Sequence, residues 1–479
     1  MVKKIQGNMI RPDELGRKRK CEVPHVYTIL LSIIMLAGVL SYIIPAGEYQ
    51  RVTINGIKAV DPNTFQYIPN TPVSFFDWFV AIPRGMASSI AIMAIIFIPV
   101  GAVNVYTASG AFQAAIAHLL KRGGSKGSLA IMIGLMSFFA FRAGFEGAID
   151  THLAFVPLTI GFALAAGYDV LTGVAITMVP TFVSFALGPT NPYTVLISQE
   201  IAGLPPFSGL PLRLAAWGVV MALTYYHVLR YAIRVKREPS LSIVQDVDTA
   251  GMAIDVEEYT KEPLTTRKKI LVAMLLGTIV VIVTGALKFG WYLNQMTAAF
   301  LISGILAGIV AGFDNKKIAN LFVEGGSKVY FGAMCVAVAR AIQVVLEDGH
   351  IIDTIIHALA TILQNVPGTI SVLAMYVLQL LINFFIPSGS GQAMATMPIL
   401  APLSDVIGVT RQTAVLAFQF GDGITNLVFP TMGLIFAYIA FGGISYEKYL
   451  KFIFPLMWKV LAVGAIFLVI AHAISYGPF

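Results

Sequence analysis

The chain has 479 residues, of which 57% are apolar and only 12% are charged, and its formal net charge is +7. Soluble proteins carry about 25% charged residues, so this composition excludes an ordinary soluble fold. The positive charge does not indicate a nucleic-acid partner, because Lys and Arg cluster beside apolar runs, at 3–20, 121–126 and 230–237. This is the positive-inside distribution of a multi-pass protein of a bacterial inner membrane, with its N-terminus in the cytoplasm.

Apolar runs of about 20 residues, the length that crosses the hydrocarbon core, predict helical spans in the first half. These spans are expected at 26–45, 86–106, 170–203 and 212–232. Residues 73–85 predict an amphipathic segment at the interface, and 121–127 predict a basic turn. The run 128–166 is apolar but contains charges among glycines, so it predicts a re-entrant hairpin. The span 170–203 is interrupted at Gly188–Pro192, where two prolines and a glycine cannot sustain a helix.

The second half follows a polar segment, 233–268, which is expected to be a flexible cytoplasmic linker. Further spans are expected at 270–287, 292–312, 329–346 and 411–442, with a last one ending at Phe479. A second hairpin, 366–406, is broken at Pro387–Gln392, and the span 411–442 is interrupted at Gly421–Asn426. The predicted units are a basic N-terminus at 1–25, a first repeat at 26–232, a linker with a connecting span at 233–287, and a second repeat at 288–479.

The two halves form an internal repeat. Residues 155–167 align without gaps on 396–408, and Gly188-x-Thr190-Asn191 matches Gly423-x-Thr425-Asn426. The single odd span at 270–287 reverses the orientation of the second half. The sequence therefore predicts an all-α integral membrane protein with an inverted-topology repeat, nine spans and two re-entrant hairpins, which is the architecture of secondary transporters.

Both helix breaks and both hairpin tips are expected to meet near mid-membrane and form one solute site. A broken helix leaves N–H and C=O groups unpaired, and in lipid these persist only where protein, water or ligand satisfies them. N–H ends attract a carboxylate, whereas freed oxygens hold a cation. The candidate substrate-binding residues are Glu146, Asp150, Thr151, Thr190, Asn191, Ser388, Ser390, Gln392, Thr425 and Asn426. The candidates for cation or proton coupling are Gly188, Thr190, Asn191, Asp422, Gly423, Thr425 and Asn426, and the candidate anion anchors are Arg142 and Arg340.

Each motif also has a structural alternative. Gly188–Pro192 alone is compatible with a kinked helix that binds nothing, and the recurrence in the second half favours a functional site. Arg142, Glu146 and Asp150 are spaced i, i+4 and i+8, which predicts a shared helix face. They form either an acidic ligand site or a mutually neutralised cluster. His152 is either a packed hydrogen-bonding residue, which is the more frequent case, or a proton carrier.

Four long motifs resemble a known family. They are Phe385–Ala393 (FIPSGSGQA), Arg411–Asn426 (RQTAVLAFQFGDGITN), Thr190–Val195 (TNPYTV) and Ile201–Gly209 (IAGLPPFSG). They resemble the YfcC-like branch of the DcuC-type carriers, and the resemblance covers nearly the whole chain from Pro24.

This resemblance implies membership of the ion-transporter superfamily, in which homodimers move a hairpin-bearing transport domain against a scaffold as an elevator. It implies that hairpin-tip and helix-break residues hold the solute and, in many members, sodium. On this chain those residues are Ser388, Ser390, Thr425, Asn426, Thr190 and Asn191. The first hairpin departs from the pattern, with Ile149-Asp150-Thr151 in place of Glu-Glu-Thr. Substrates assigned in the family include four-carbon dicarboxylates and basic amino acids.

The expected function is secondary transport of a small carboxylate-bearing solute, first an amino acid of the arginine or ornithine type, with a dicarboxylate next. Glu146 and Asp150 of the first hairpin favour a solute with a cationic group, whereas Arg142 and Arg340 are compatible with an anionic solute. No cofactor is expected beyond sodium or proton coupling, and the expected partners are the solute, the bilayer and a second copy. An integral-membrane enzyme lacks support, because there is no His-x-x-x-His/Glu cluster and no sizeable extramembrane domain. A channel needs no inverted pair of hairpins.

Overall fold

The computed structural model describes residues 24–54, 57–249, 265–291, 293–363 and 368–477, and these are mostly helical. The α-helices of the first half are α1 Val26–Ile43, α2 Phe75–Ser88, α3 Ile90–Ala108, α4 Ala111–Glu146, α5 Val156–Ala165, α6 Val170–Ala186, α7 Ile197–Ile201 and α8 Leu210–Arg237. Those of the second half are α9 Thr266–Phe289, α10 Leu293–Val310, α11 Asn315–Lys328, α12 Tyr330–Asp348, α13 Ile352–Leu363, α14 Gly368–Phe385, α15 Gly389–Val406, α16 Arg411–Ile424, α17 Leu434–Phe441 and α18 Tyr446–Ala473. Short 3-10 helices cover Asp150–Phe155, Pro239–Leu241 and Thr425–Leu427, and a π-helical turn covers Pro192–Leu196.

Seven helices in these ranges are long and apolar enough to cross a membrane: α1, α3, the part Gly127–Glu146 of α4, α8, α10, α12 and α18. The two predicted broken spans appear as separate helices on either side of a break, α6 with α7 and α16 with α17. These breaks shorten each helix below the length of a full span, as the Gly and Pro residues predict. The count of nine spans stays a prediction.

The helices pack in two groups. In one group α12 packs against α1 and α2, while α3 packs against α10 and α11. In the other, α4, α5 and α8 surround α6, and α14, α15 and α18 surround α16. Because α6 also contacts α16, both broken helices lie side by side. The two groups meet where α12 packs on α17. The helices approach each other closely there, because a Cβ added to Gly433, directly before α17, would lie only 2.8 Å from Val336 Cα.

The basic turn predicted at 121–127 is wrong, because α4 continues unbroken through it. Glycine costs a helix about 1 kcal/mol per residue, which packing of a long apolar helix can offset. The chain instead turns at Gly110, whose φ of +69° lies in the left-handed region that favours glycine. The first hairpin therefore has a first arm that begins at Ala111, earlier than expected, and its second arm is the 3-10 helix with α5.

Residues 238–249, part of the predicted linker, contact the helices around them, and the flexibility of the linker stays a prediction. Ser242 Oγ donates to Asp169 Oδ2 at 2.7 Å, and Tyr231 Oη on α8 donates to the same oxygen at 2.6 Å. Asp246 pairs with Lys448 at the start of α18. The rest of the predicted linker from 250 to 264, like most of the basic N-terminus 1–25, lies outside the described residues.

The segment after α1 contains four short strands: β1 Gly47–Glu48, β2 Arg51–Ile54, β3 Ile57–Val60 and β4 Gln66–Tyr67. β1 pairs antiparallel with β4, and β2 with β3. Asp353 on α13 joins this segment to the second half, because it accepts from Tyr49 N at 3.0 Å and pairs with Arg51 at 3.0 Å. The helix α13 thus holds the strands of this segment in place.

Candidate functional site

The structure brings both hairpin tips and both helix breaks to one cavity of about 310 Å³. Its lining residues come from the first tip (Gly147, Ile149, Asp150), the second tip (Phe385, Pro387, Ser388, Gly389, Ser390), the first break (Phe185, Tyr193), the second break (Asn426, Thr431, Met432, Gly433, Leu434), the α2–α3 junction (Ser88, Ser89, Ile92) and α12 (Val336, Ala339, Arg340, Ile342, Gln343). This volume is at the low end of the range for small-molecule sites, about 300–1,000 Å³.

The first hairpin separates the residues that were expected to share a helix face. α4 ends at Glu146, and Gly147 follows with a φ of +71°, so Asp150 is not one turn further along the same helix. Arg142 is 3% exposed and its Nε pairs with Glu146 Oε2 at 3.0 Å. Glu146 and Arg142 therefore neutralise each other inside the hairpin. Of the three charges only Asp150 lines the cavity.

The polar side chains of the first break form hydrogen bonds with backbone groups of the chain. Thr190 Oγ1 donates to Phe145 O at 3.2 Å, which attaches the break to the first hairpin. Asn191 is fully buried; its Nδ2 donates to Phe185 O at 3.0 Å, and its Oδ1 accepts from Tyr193 N at 3.0 Å. Asn191 thus satisfies both ends of the interruption and does not line the cavity, and its role in binding stays a prediction.

The second hairpin presents its serines to the cavity and turns Gln392 inward. Ser388 caps α15 by accepting from Gly391 N at 3.3 Å, and both Ser388 and Ser390 line the cavity. Gln392 is buried, and its Nε2 donates to Gln379 Oε1 at 2.6 Å between the two arms. Gln392 therefore holds the hairpin closed, and its predicted contact with the solute is not supported. Thr151 is likewise buried away from the cavity lining.

The second break depends on Asn383, a residue that the sequence reasoning missed. Its Nδ2 donates to Thr425 Oγ1 at 2.8 Å and to Asn426 Oδ1 at 2.9 Å. Asn426 lines the cavity, whereas Thr425 does not. The available signal was an asparagine inside the largely apolar run of α14, since polar residues within spans mark functional or packing sites.

α12 supplies the positive charge of the cavity. Arg340 lines it, and its Nη1 donates to Gln343 Oε1 at 2.5 Å. Gln343 Nε2 donates in turn to Glu347 Oε1 at 2.7 Å. Gln343 was also missed, although its i, i+3 spacing from Arg340 places both on one face. Asp150 and Arg340 are the charged side chains among the described residues that line the cavity.

The remaining coupling candidates lie behind the cavity. A Cβ on Gly188 would lie 2.4 Å from Gly144 O, and one on Gly423 would lie 2.2 Å from Ala186 Cα, so both glycines permit close backbone packing. Asp422 is fully buried, and neither of its carboxylate oxygens has a hydrogen-bond partner among the described residues. Within the same ranges no group of three or more His, Cys, Asp or Glu side chains could hold a metal ion. His152 is buried and bonded to Thr181 Oγ1 at 2.9 Å, as expected of a packed residue.

The sequence profile of the family described as DcuC, C4-dicarboxylate anaerobic carrier, matches residues 23–473. The chain belongs to the DcuC family. This membership confirms the resemblance found in the motifs and, with the apolar helices, makes the chain a multi-pass membrane transporter.

Two relatives match along almost their whole length. An uncharacterized protein of Haemophilus influenzae is 26% identical over 96% of this chain and 98% of its own. YfcC of Escherichia coli, provisionally named a basic amino acid antiporter, is 26% identical with the same coverage.

Two solved structures are similar at low sequence identity. The YdaH transporter of Alcanivorax borkumensis is 15% identical with a TM-score of 0.42, covering 95% of this chain and 99% of that one. MtrF of Neisseria gonorrhoeae, described within a class of antimetabolite efflux pumps, is 16% identical with a TM-score of 0.41, covering 95% and 96%. Both TM-scores lie below 0.5, which is too low to establish a shared fold.

Proposed function

We propose that this DcuC-family chain is a secondary carrier of a basic amino acid such as arginine or ornithine, driven by exchange or ion coupling. The observation that carries the proposal is the presence of Asp150 and Arg340 in one small cavity. A carboxylate binds the cationic group of an amino acid, and a guanidinium binds its carboxylate in a bidentate manner. Ser388, Ser390 and Asn426 supply uncharged donors and acceptors around the same space.

A four-carbon dicarboxylate is the second candidate, and the description of the family favours it. Two carboxylates in the cavity would meet a single guanidinium, Arg340, and would also face the like charge of Asp150. Like charges at close range are strongly unfavourable where water is excluded. The charge pattern of the cavity therefore supports the amino acid first, in agreement with the name of the Escherichia coli relative.

The transport movement we propose is a displacement of the helix group that contains both broken helices against the group built on α3 and α12. The support is that the cavity lies between the groups, with α12 on one side and the hairpin tips on the other. We further propose a homodimer in a bacterial inner membrane with a cytoplasmic N-terminus, supported by the family resemblance and the clustered basic residues.

Counterflow in proteoliposomes tests the substrate. We expect internal ornithine to drive uptake of labelled arginine, and internal succinate to drive none. Asp150→Asn should weaken arginine binding by about 5- to 150-fold, the effect of losing about 1–3 kcal/mol from one charged contact. Arg340→Gln should weaken arginine binding by a similar factor, because it removes the contact with the carboxylate of the bound arginine.

Asp405→Asn is the matched control, because Asp405 forms an exposed ion pair with Arg411 at 2.8 Å and does not line the cavity. Its affinity for arginine should equal that of the parent. Succinate-driven counterflow that is enhanced by Asp150→Asn would instead establish the dicarboxylate, and absence of counterflow with any solute would argue against a carrier.

A further inference from the structure

The buried carboxylate of Asp422 has no hydrogen-bond donor and no ion-pair partner among the described residues. Its side chain is 0% exposed, and both Oδ1 and Oδ2 lack a hydrogen-bond donor. Asp422 also takes part in none of the ion pairs of the described chain. An isolated buried carboxylate is strongly unfavourable, so it must be neutralised by a proton or by a cation.

Two further buried residues with an unpartnered oxygen belong to segments next to this carboxylate: Thr194, which also approaches Gly389, and Gln419, one turn earlier on α16. Thr194, on the π-helical turn of the first break, is 0% exposed with an unpartnered Oγ1. A Cβ built on Gly389 would lie 2.7 Å from Thr194 Cγ2 and 3.4 Å from Asp422 Oδ2, so both side chains converge on the tip of the second hairpin. Gln419 is one turn before Asp422 on α16; its Nε2 donates to Gly188 O at 2.6 Å, and its Oε1 has no partner among the described residues.

These oxygens differ from those that the family resemblance nominated for sodium. Thr190 donates to the first hairpin, Asn191 is bonded within the first break, and Thr425 and Asn426 both accept from Asn383. Asp422, Thr194 and Gln419 bridge the two repeats instead, directly behind the hairpin tip that lines the cavity.

The chemistry of this cluster selects a monovalent hard cation. Carboxylate, hydroxyl and amide oxygens are the ligands that alkali and alkaline-earth cations prefer. A single carboxylate neutralises one positive charge, whereas a divalent ion would leave a buried excess charge. We propose that Asp422, Thr194 and Gln419 bind one sodium ion behind the tip of the second hairpin.

This site would connect ion binding to transport, a consequence that rests on the proposed function. The ion touches the first break through Thr194, the helix before the second break through Asp422, and the second hairpin tip at Gly389. Loading it stabilises the arrangement in which Ser388 and Ser390 face the cavity. The binding step itself requires no solute.

The test measures the melting temperature of the purified full-length protein without solute, with sodium chloride replaced stepwise by choline chloride at constant ionic strength. We expect the parent melting temperature to rise saturably with sodium and Asp422→Asn to abolish the rise. Thr194→Val, which removes only the hydroxyl, should raise the half-saturating sodium concentration about tenfold, the effect of losing one polar ligand. Thr194→Ser, which keeps the hydroxyl, should resemble the parent, as should the surface control Asp405→Asn.

Two results would overturn the sodium site. One is a parent whose melting temperature follows pH but not sodium, since the carboxylate would then carry a proton. The other is an equal sodium response in Thr194→Val and Thr194→Ser, a comparison that decides the matter even where Asp422→Asn does not fold. A normal sodium response without transport of basic amino acids would refute the proposed function and leave this site intact.

Discussion

The two helix breaks share the motif Gly-x-Thr-Asn, but different side chains satisfy their backbone. At the first break the fully buried Arg213 donates from Nε to Pro189 O at 2.9 Å and from Nη2 to Ser208 O. At the second break the donors are neutral hydroxyls. Tyr449 Oη donates to Leu427 O at 2.8 Å, and Tyr446 Oη donates to Val428 O.

This difference places a permanent positive charge at the first break and none at the second. The guanidinium of Arg213 is a tethered cation that donates to a freed carbonyl of the first break, Pro189 O. The second break has a buried carboxylate, Asp422, and donors without charge. The comparison teaches that a sequence repeat can preserve the backbone shape of a site while its two copies differ in charge.

The largest expected effect comes from removing the tethered cation. Arg213→Met leaves Pro189 O without its donor and removes one of three donors to Ser208 O, which also accepts from Gln199 and Gln412. We expect this loss of two hydrogen bonds from a charged group to lower the free energy of unfolding by about 2–4 kcal/mol. Tyr449→Phe removes one neutral donor at the second break and should cost only about 1–2 kcal/mol. Melting temperatures and denaturant titrations of the purified variants measure both.

Lys451→Met is the control for Arg213→Met, because Lys451 is 62% exposed in an i,i+4 pair with Glu447. Exposed pairs of this kind contribute about 0.3–0.5 kcal/mol. If Arg213→Met were no more destabilising than this control, the two breaks would not differ in the way described.

An intermediate effect should distinguish the two asparagines of the repeated motif. Asn426 lines the cavity, whereas Asn191 is buried and bonded within its break. We expect Asn426→Ala to weaken solute affinity about 5- to 150-fold with a modest change in melting temperature. Asn191→Ala should mainly lower the melting temperature, because it leaves Phe185 O and Tyr193 N without partners.

Isothermal titration of the folded variants with arginine, beside thermal denaturation, separates these outcomes. Equal losses of affinity in both variants would mean that the two breaks contribute alike to the solute site, as the sequence motif alone predicts.

The smallest effect concerns the attachment of α18, which carries the tyrosines of the second break. The Lys448 ammonium donates to Asp246 and lowers the pKa of that carboxyl. A carboxyl with a lowered folded-state pKa stabilises the fold above its unfolded value of about 4 and loses this contribution as pH falls through the folded value. The melting temperature of Asp246→Asn should therefore lie slightly below the parent's at pH 7 and converge with it below pH about 4. A difference that widened on acidification would contradict this assignment.

Local sequence was sufficient for most of the helices and for both breaks. An apolar run of about 20 residues has few alternatives in lipid, and Gly-Pro-Thr-Asn-Pro interrupts any helix that contains it. The hairpin break at Pro387 and the convergence of four interruptions on one cavity follow from the repeat. For the helices and the breaks the sequence predictions and the structure agree, because chain-local sterics and span length decide them. The convergence agrees because the repeat places equivalent interruptions in both halves.

Two local predictions were wrong where competing local signals had similar weight. The glycines between Lys121 and Gly127 suggested a turn, yet α4 continues, whereas the lone Gly110 makes the turn. Gly147 ends α4 directly after Glu146 and so separates Asp150 from Arg142. A glycine permits either outcome, and the packing of the surrounding helices determines which one occurs.

The sequence by itself determined a membrane carrier of the DcuC type with repeated, interrupted helices. It also named Asp150, Arg340, Ser388, Ser390 and Asn426 among the residues that line the cavity. Only the tertiary structure decided which polar atoms remain available. Arg213 reaches the first break from the following helix, Asn383 reaches the second from the hairpin, and Thr194 and Asp422 approach Gly389 from different repeats. These partners come from separate helices, and in a buried environment a polar atom either finds such a partner or remains for a ligand. Spacing along the chain cannot reveal that outcome, because packing between helices determines it.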